Sequence, residues 1–499
     1  LSDCAHRSTL TDAVVPATIR PGDPFMKLLL VNPYTETDRT AGKFNRFLEA
    51  MPPISIAYVA AAVEAAGIPV ACYDDFLEGG ILTSFEECVR REKPDVIGFS
   101  SVTPTAPGVT KLSRFCRQTF PDITLIQGGV HATVFAERLL KEGETDYIVH
   151  NEGEVTVVEL MKCLATNGDI TEVLGISFLA DNEVVTNAPR PMIQDLDSIP
   201  FPAWHLLPWE RYNLFNFARV ATPATLVLGS RGCPYRCNFC SLTVMGHNRR
   251  KRSITNLVDE REYMWERFGM RQMAYVDPIF PISKGEALAF RDEVVKRGLQ
   301  KHQVWTTETR VDLVDLETVE AMYESGCRRV MFGFETGDQE TLDAIEKNFE
   351  IAQAYNAVRL CQKVGMQVIG FFIIGSPGET ERSIQMTIDF SRDLNIEFAK
   401  YTCFVPYPGT PIYYKFCNDG TLPEPERYNF ARYTSYPTED NPAIYTTPAL
   451  TQEDLQRLQK RAFRQFYLRP KTVFDHVFKI RALSPNDMVN GLKLVFSNS

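Results

Sequence analysis

Residues 231–240 read RGCPYRCNFC, which places Cys233, Cys237 and Cys240 in a C-x3-C-x2-C spacing. Thiolates are soft ligands, and three of them so close in sequence can share one metal centre. A structural zinc site closes with four protein ligands, and a cubane iron–sulfur cluster is normally held by four thiolates. The triplet is one short of either. It therefore suits a centre with one coordination position left for a molecule other than the protein. Nine further cysteines, Cys4, Cys72, Cys88, Cys116, Cys163, Cys327, Cys361, Cys403 and Cys417, stand singly. Each reads as a small buried hydrophobe in a reducing compartment, and their density is too low for a disulfide scaffold.

The elements that must position the triplet follow from the alternation of apolar runs and amphipathic stretches. In the first part of the chain, strands are expected at 27–33, 69–75, 95–102, 123–130 and 146–153, with helices such as 54–67 between them. Continuous apolar strands separated by helices predict a parallel sheet covered on both faces, a doubly wound Rossmann-like domain over 26–167. Ligands of such sheets sit beyond the carboxyl ends of the strands. This draws attention to Asn32-Pro33, Ser100-Ser101, Gln127-Gly128-Gly129 and Asn151-Glu152-Gly153-Glu154. None is a G-x-G-x-x-G fingerprint, so a dinucleotide is not favoured. The glycine pair admits two readings, a tight strand-to-helix turn or a close approach of a bulky ligand to the backbone. His131 and His150 read as satisfied polar groups.

Residues 168–224 break the alternation. The segment DLDSIPFPAWHLLPWERY (195–212) is dense in proline and tryptophan, which predicts an extended linker packed against a domain. A second alternation then supplies strand candidates at 225–233, 272–278, 304–310, 328–336, 367–377 and 398–409. Helices are expected between them, for example at 315–326 and 381–394. Six strand–helix units are too few for an eightfold barrel and predict a partial (β/α)6 barrel over 225–415, with its site at the strand ends. The triplet falls just after the first of these strands, at the mouth. Residues 416–499 read as a mainly helical region. In it, Thr451 caps a helix whose stripe of Leu455, Leu458, Ala462, Phe463 and Phe466 faces the core. Tyr428, Phe430, Tyr433 and Tyr436 read equally as packing or as the lining of a substrate cavity. Residues 1–25 read as a flexible lead-in.

With this placement, C-x3-C-x2-C resembles the cysteine motif of the radical S-adenosylmethionine (SAM) superfamily, in which three irons of a [4Fe–4S] cluster are bound by the protein and the fourth chelates SAM. The resemblance implies reductive cleavage of SAM to a 5′-deoxyadenosyl radical. Phe239 matches the aromatic residue before the last cysteine. Asp277 in YVDPIF falls where the family contacts the SAM amino group, although Pro278 replaces the second acid often found there. Glu335 in GFETG is similar to the residue that contacts SAM ribose or methionine. Ile373 and Gly375 in GFFIIGSPGE match the adenine-side motif, and PYPGTPIY (406–413) matches the segment after the sixth strand.

The order of doubly wound domain, linker and barrel resembles the cobalamin-binding radical SAM family over about 26–470. Ser100, Ser101, Gly128 and Gly129 then correspond to positions that pack the corrin and its nucleotide tail. No D-x-H-x-x-G follows the first strand, where the chain reads VNPYTETDRTAGKFNRF, so the resemblance implies cobalamin held base-off. The implied function is methylation of an unactivated carbon, or of phosphinate phosphorus, in a small molecule. Other members of the family are radical cyclases or ring-rearranging enzymes, such as anaerobic Mg-protoporphyrin monomethyl ester cyclase. A reducing partner such as flavodoxin or ferredoxin is implied too.

Two readings of other classes compete. A corrinoid carrier or sensor would not need a SAM-cleaving triplet. A tRNA-modifying enzyme would draw on the basic run NRRKR (248–252), but the net charge of −10 and the lack of further basic clusters argue against nucleic acid. That run reads as a solvated loop or one reaching toward the SAM carboxylate. No apolar run of about 18 residues marks a membrane span, and no secretion signal is seen. The expectation is a cytoplasmic enzyme.

Overall fold

A computed structural model of the chain describes residues 26–35, 50–215 and 217–476. The expected lead-in over 1–25 and most of the segment after the first strand lie outside the described residues, as do 477–499. The first sheet has seven strands in the order β2-β1-β3-β4-β5-β6-β7. Strands β1 (Leu28–Asn32), β2 (Val70–Asp74), β3 (Val96–Ser100), β4 (Thr124–Gly128) and β5 (Tyr147–Val149) are parallel. Their side chains divide by alternation. Leu28, Leu30, Val96 and Ile126 pack on the face that carries helices 54–65 and 153–165. Leu29, Val31, Ile97, Phe99 and Leu125 pack on the opposite face. Burial on both faces is the reason these strands are apolar throughout. The strand order reverses direction between β1 and β3, which opens a crevice at their carboxyl ends.

Strands β6 (Ile176–Ala180) and β7 (Glu183–Thr186) extend this sheet antiparallel. The first unit therefore runs past 167, into the stretch expected to be linker. The extended part begins after them and is tied to the first unit. Tyr212 Oη donates to Asp74 at 2.8 Å, Ala203 N donates to Ala57 O at 3.0 Å, and Trp204 is buried.

The second sheet has six parallel strands in the order β15-β14-β13-β12-β11-β8. They are β8 (Ala224–Val227), β11 (Gln272–Tyr275), β12 (Val304–Thr309), β13 (Cys327–Glu335), β14 (Gln367–Ile374) and β15 (Phe398–Cys403). The first and last strands do not pair, so the sheet curls into an open-sided barrel. A short antiparallel pair, β9 (Ser230–Arg231) and β10 (Arg250–Lys251), stands beside β8. The lower end of the barrel is plugged by the linker. Gln272 Oε1 accepts from Val220 N and Ala221 N at 2.6 and 2.9 Å, Arg329 donates to the carbonyls of Phe217 and Arg219, and Leu214 and Ala218 pack on Ala274, Met331 and Ile369.

Helix 452–467 begins at Thr451, whose hydroxyl accepts from Asp454 N. It buries Leu455, Leu458, Ala462 and Phe466 against the barrel, as its sequence predicts. Tyr428 and Phe430 pack across the boundary of the first unit. The Arg138 guanidinium lies 4.2 Å from the Tyr428 ring, and the His131 and Phe430 rings are 4.5 Å apart. No helix among the described residues is long and apolar enough to cross a membrane.

Candidate functional site

The loop that carries the three cysteines is held at each end by residues from elsewhere. It leaves β8 through Gly229 and Ser230, and both are bound by Asp277 just beyond β11. Gly229 N donates to one carboxylate oxygen at 2.9 Å and Ser230 Oγ to the other at 2.5 Å. Asp277 is 1% exposed, and burial pushes its carboxyl up to about 6 despite these two donors. Its carboxylate thus faces the loop from beneath, and the structure places it as a support of the cysteines.

Gly232 has φ +86°, and a Cβ there would lie 2.4 Å from Asn248 O, so only glycine lets the loop cross the β9–β10 ribbon. Further on, Asn238 N donates to Ile345 O at 3.2 Å and Asn238 Nδ2 to Ala344 O at 2.9 Å. Tyr235 lies under the Arg310 guanidinium, 3.7 Å from ring centroid to Cζ.

The thiols are more open than the core cysteines, with Cys233 and Cys237 half-buried and Cys240 exposed. Burial raises the Cys237 thiol against the opposing pull of Lys347 and Arg310. Burial and the other two sulfurs push Cys240 up to about 11. Iron must therefore displace protons here, which couples loading to pH. Among the described residues, no three His, Cys, Asp or Glu side chains are grouped closely enough to hold a single metal ion.

Glu335 ends β13 with φ +63° beside a register shift at Gly333, a strained position for a residue with a side chain. Its carboxylate accepts from Lys347 Nζ at 2.6 Å. Lys347 sits between Glu346 and Asn348, both at positive φ, and Arg310 donates to the Lys347 and Asn348 carbonyls. Burial alone would lower the Lys347 ammonium, but Glu335 and Cys237 outweigh it and hold it raised. Lys347 is the residue sequence reasoning missed. It lies in an unremarkable AIEKNFE stretch, and only folding brings it to Cys237 and to within 5.8 Å of the Phe239 ring.

Phe239 and Ile373 pack on the same apolar cluster. Gly375 has φ +85°, and a Cβ there would meet Leu455 at 2.6 Å. Its close neighbour is thus the helix 452–467. The strand-five loop is held by Glu379, the last residue of GFFIIGSPGE. Its Oε2 accepts from Gly375 N and Ser376 N at 2.7 and 2.9 Å, and burial pushes the carboxyl up to about 8.

In the first unit, Ser100, Ser101, Gly128 and Gly129 meet at the ends of β3 and β4. Ser101 N donates to Gly128 O at 2.8 Å, and Ser100 and Ser55 share a hydroxyl hydrogen bond of 3.3 Å. Gly129 has φ +98°, and a Cβ would lie 2.6 Å from Ser101 O. One on Gly128 would meet nothing closer than Val149 O at 3.6 Å. Gly129 is thus required by the turn, whereas Gly128 leaves open space. Ser101 Oγ and Gln127 Oε1 are buried without a hydrogen-bond partner among the described residues. The space over Gly128 fits the bulky body of a ligand at the strand ends. His131 is buried and neutral, its ring held down to about 3 by burial, and His150 bonds Ser177.

The two units are clasped at the cysteine loop. Arg231 donates to Glu152 at 2.8 Å and to Glu154 at 2.5 Å, and Arg250 donates to both oxygens of Glu152. All four side chains are at most 8% exposed. This corrects the expectation for NRRKR. Arg249 binds Glu286, Arg250 binds Glu152 and Arg252 binds Glu260, so the run is a set of mostly buried anchors rather than a solvated loop.

Residues 45–161 match the B12 binding domain family and residues 227–391 the radical SAM superfamily. The chain belongs to the cobalamin-binding radical SAM family. An uncharacterised methyltransferase of Pyrococcus horikoshii is 29% identical over 476 residues, covering 94% of this chain and 99% of its own length. The anaerobic magnesium-protoporphyrin IX monomethyl ester cyclase of Cereibacter sphaeroides is 28% identical over 441 residues, 86% of this chain and 69% of its own. Among solved structures, the radical S-adenosylmethionine methyltransferase TsrM of Kitasatospora setae has a TM-score of 0.68 at 17% identity, covering 93% of this chain and 90% of that one. At that identity the likeness concerns the fold. Within this family the clasp means that the B12-type unit and the cysteine loop are fixed to each other.

Proposed function

We propose that this chain is a cobalamin-dependent methyltransferase that acts on an unactivated carbon of a small molecule. The observation that carries the reading is the shared anchoring of the two cofactor regions. Arg231, two residues before Cys233, is bound by Glu152 and Glu154 at the end of β5. Cys233, Cys237 and Cys240 would hold a [4Fe–4S] cluster. Glu335, Phe239, Ile373 and Gly375 would border SAM. Ser100, Ser101, Gly128 and Gly129 would pack against cobalamin, in a base-off state. When bound, these groups supply reductive SAM cleavage and methyl transfer.

The protein's own work is positional. Asp277 and Gly232 fix the loop, Lys347 and Arg310 place positive charge beside Cys237, and the linker closes the lower end of the barrel. The relatives named as methyltransferases include a cytidylyl-2-hydroxyethylphosphonate methyltransferase of Streptomyces wedmorensis and a hopanoid C-3 methylase of Methylococcus capsulatus. They support methyl transfer without fixing the acceptor. Electrons would come from a carrier such as flavodoxin or ferredoxin.

The test is anaerobic reconstitution with iron, sulfide and cobalamin, followed by reductant and SAM. Release of 5′-deoxyadenosine that disappears in Cys→Ala variants of the triplet is expected. A loaded protein that leaves SAM intact contradicts the reading.

A further inference from the structure

The inward faces of the barrel strands hold two charged side chains that the cofactor chemistry leaves unused. On β12, Trp305, Thr307 and Thr309 point outward. Trp305 packs on Tyr275 and Phe290, and the two threonine hydroxyls donate to Phe280 O and Pro281 O. Alternation turns Glu308 into the lumen. On β15, Tyr401 packs outward on Phe463 and Phe466 of the helix 452–467, which turns Lys400 inward.

Lys400 Nζ lies 5.8 Å from the Phe217 ring and 5.9 Å from the Phe371 ring. Glu308 is exposed and Lys400 half-buried, although both strands lie within the sheet that encloses the lumen. Neither side chain has a hydrogen bond or ion pair among the described residues, whereas Glu335, Arg310 and Arg329 on the same inward surface are all paired. Lys400 lies beside Phe217 of the segment that plugs the lower end of the barrel, whereas Glu308 lies within reach of the charges of Lys347 and Glu335 near the cysteine loop, so Glu308 is the one nearer the mouth.

We infer that Glu308 and Lys400 are the substrate-recognition residues of the lumen, and that the substrate is an amphoteric small molecule. Its cationic nitrogen sits on Glu308, on the side of the cysteine loop, and its anionic oxygen sits deeper, on Lys400. An apolar or aromatic portion lies between them beside Phe371. This rests on the methyltransferase reading and names the substrate class for it.

Solvent reaches Glu308, yet the barrel wall around both side chains limits their hydration and disfavours an unpaired charge at each. Burial accordingly raises the Glu308 carboxyl and lowers the Lys400 ammonium, each net of their mutual attraction. A purely structural pair would show the reverse balance.

The first readout is thermal unfolding of the purified full chain at neutral pH. Glu308→Gln and Lys400→Met are each expected to raise the midpoint by on the order of 1–2 °C. A drop in both variants assigns the pair a structural role and overturns the inference. The second is calorimetric binding of a rigid amphoteric probe, 4-(aminomethyl)benzoate, against benzylamine and benzoate. The amphoteric probe is expected to bind about tenfold or more tighter than either, one charge contact being worth about that factor. Glu308→Gln should erase its advantage over benzoate, and Lys400→Met its advantage over benzylamine. Equal binding of the three probes, or no saturable binding of the amphoteric one, overturns the inference. Cluster absorption and SAM cleavage in both variants report separately on the methyltransferase reading, which survives a failure confined to the lumen.

Discussion

The crevice of the first unit and the mouth of the barrel are built by opposite means. At the ends of β3 and β4 the site is shaped by missing side chains. Gly129 is forced by its turn, and Gly128 leaves space. At the barrel mouth the site is shaped by charged side chains, with Lys347 on Glu335, Arg310 over Tyr235, and Arg231 on Glu152 and Glu154. A crevice made of backbone suits a large ligand bound by shape. A mouth made of ion pairs suits anionic thiolates and charged small molecules, whose position must be exact for radical chemistry to be selective. The clasp joins the two, and so the comparison can be broken at either side or at the seam.

The largest effect is expected at the mouth. Cys233→Ala, Cys237→Ala or Cys240→Ala should each abolish the visible absorption of the reconstituted cluster while cobalamin still binds; a cluster retained in full would break the assignment of that side. At the seam, Glu152→Ala takes from buried Arg250 its ion partner and from Arg231 one of its two, and should cost about 3–5 kcal/mol in denaturant unfolding. A loss below about 1 kcal/mol would mean that the clasp is ornamental. In the crevice, Gly129→Ala meets Ser101 O and a positive φ together, at a cost of about 1–3 kcal/mol. Gly128→Ala has room and should leave stability within about 0.5 kcal/mol while weakening cobalamin binding. If the two glycine variants behave alike, the distinction between turn and ligand face is wrong.

A pH-dependent effect belongs to Asp277. Its carboxyl is raised to about 6, so its contribution to stability is fully present below the ordinary 3.8 and is lost as pH rises through about 6. Asp277→Asn should flatten stability across that window and change little outside it.

Much of this comparison was legible in the sequence, and unevenly so. Most parallel strands of the first sheet were readable because they are buried on two faces and apolar, and those of the second sheet from their spacing between helices, although β12, β13 and β15 carry charged residues. β6 and β7 were not, because they pair antiparallel at the edge of the sheet and carry the polar residues of a half-exposed hairpin. The cysteine spacing and the glycine pairs were visible as local patterns. Lys347, the clasp of Arg231 and Arg250, and the Glu308–Lys400 pair were not, because each joins residues far apart in the chain. Single charged residues are mostly solvated, and nothing local in NRRKR distinguishes an anchor from a surface run. Glu379 could have been found, since it closes the GFFIIGSPGE motif at the place where two backbone amides need an acceptor.

The central claim is that two units tied by buried ion pairs present both cofactor regions to a common lumen. The most direct test is a ligand-bound structure of the anaerobically reconstituted full chain. The account predicts a [4Fe–4S] cluster on Cys233, Cys237 and Cys240, with cobalamin over Gly128 and the corrin facing the same lumen as Glu308 and Lys400. A cluster on other ligands, or a corrin turned away from the barrel, would contradict it.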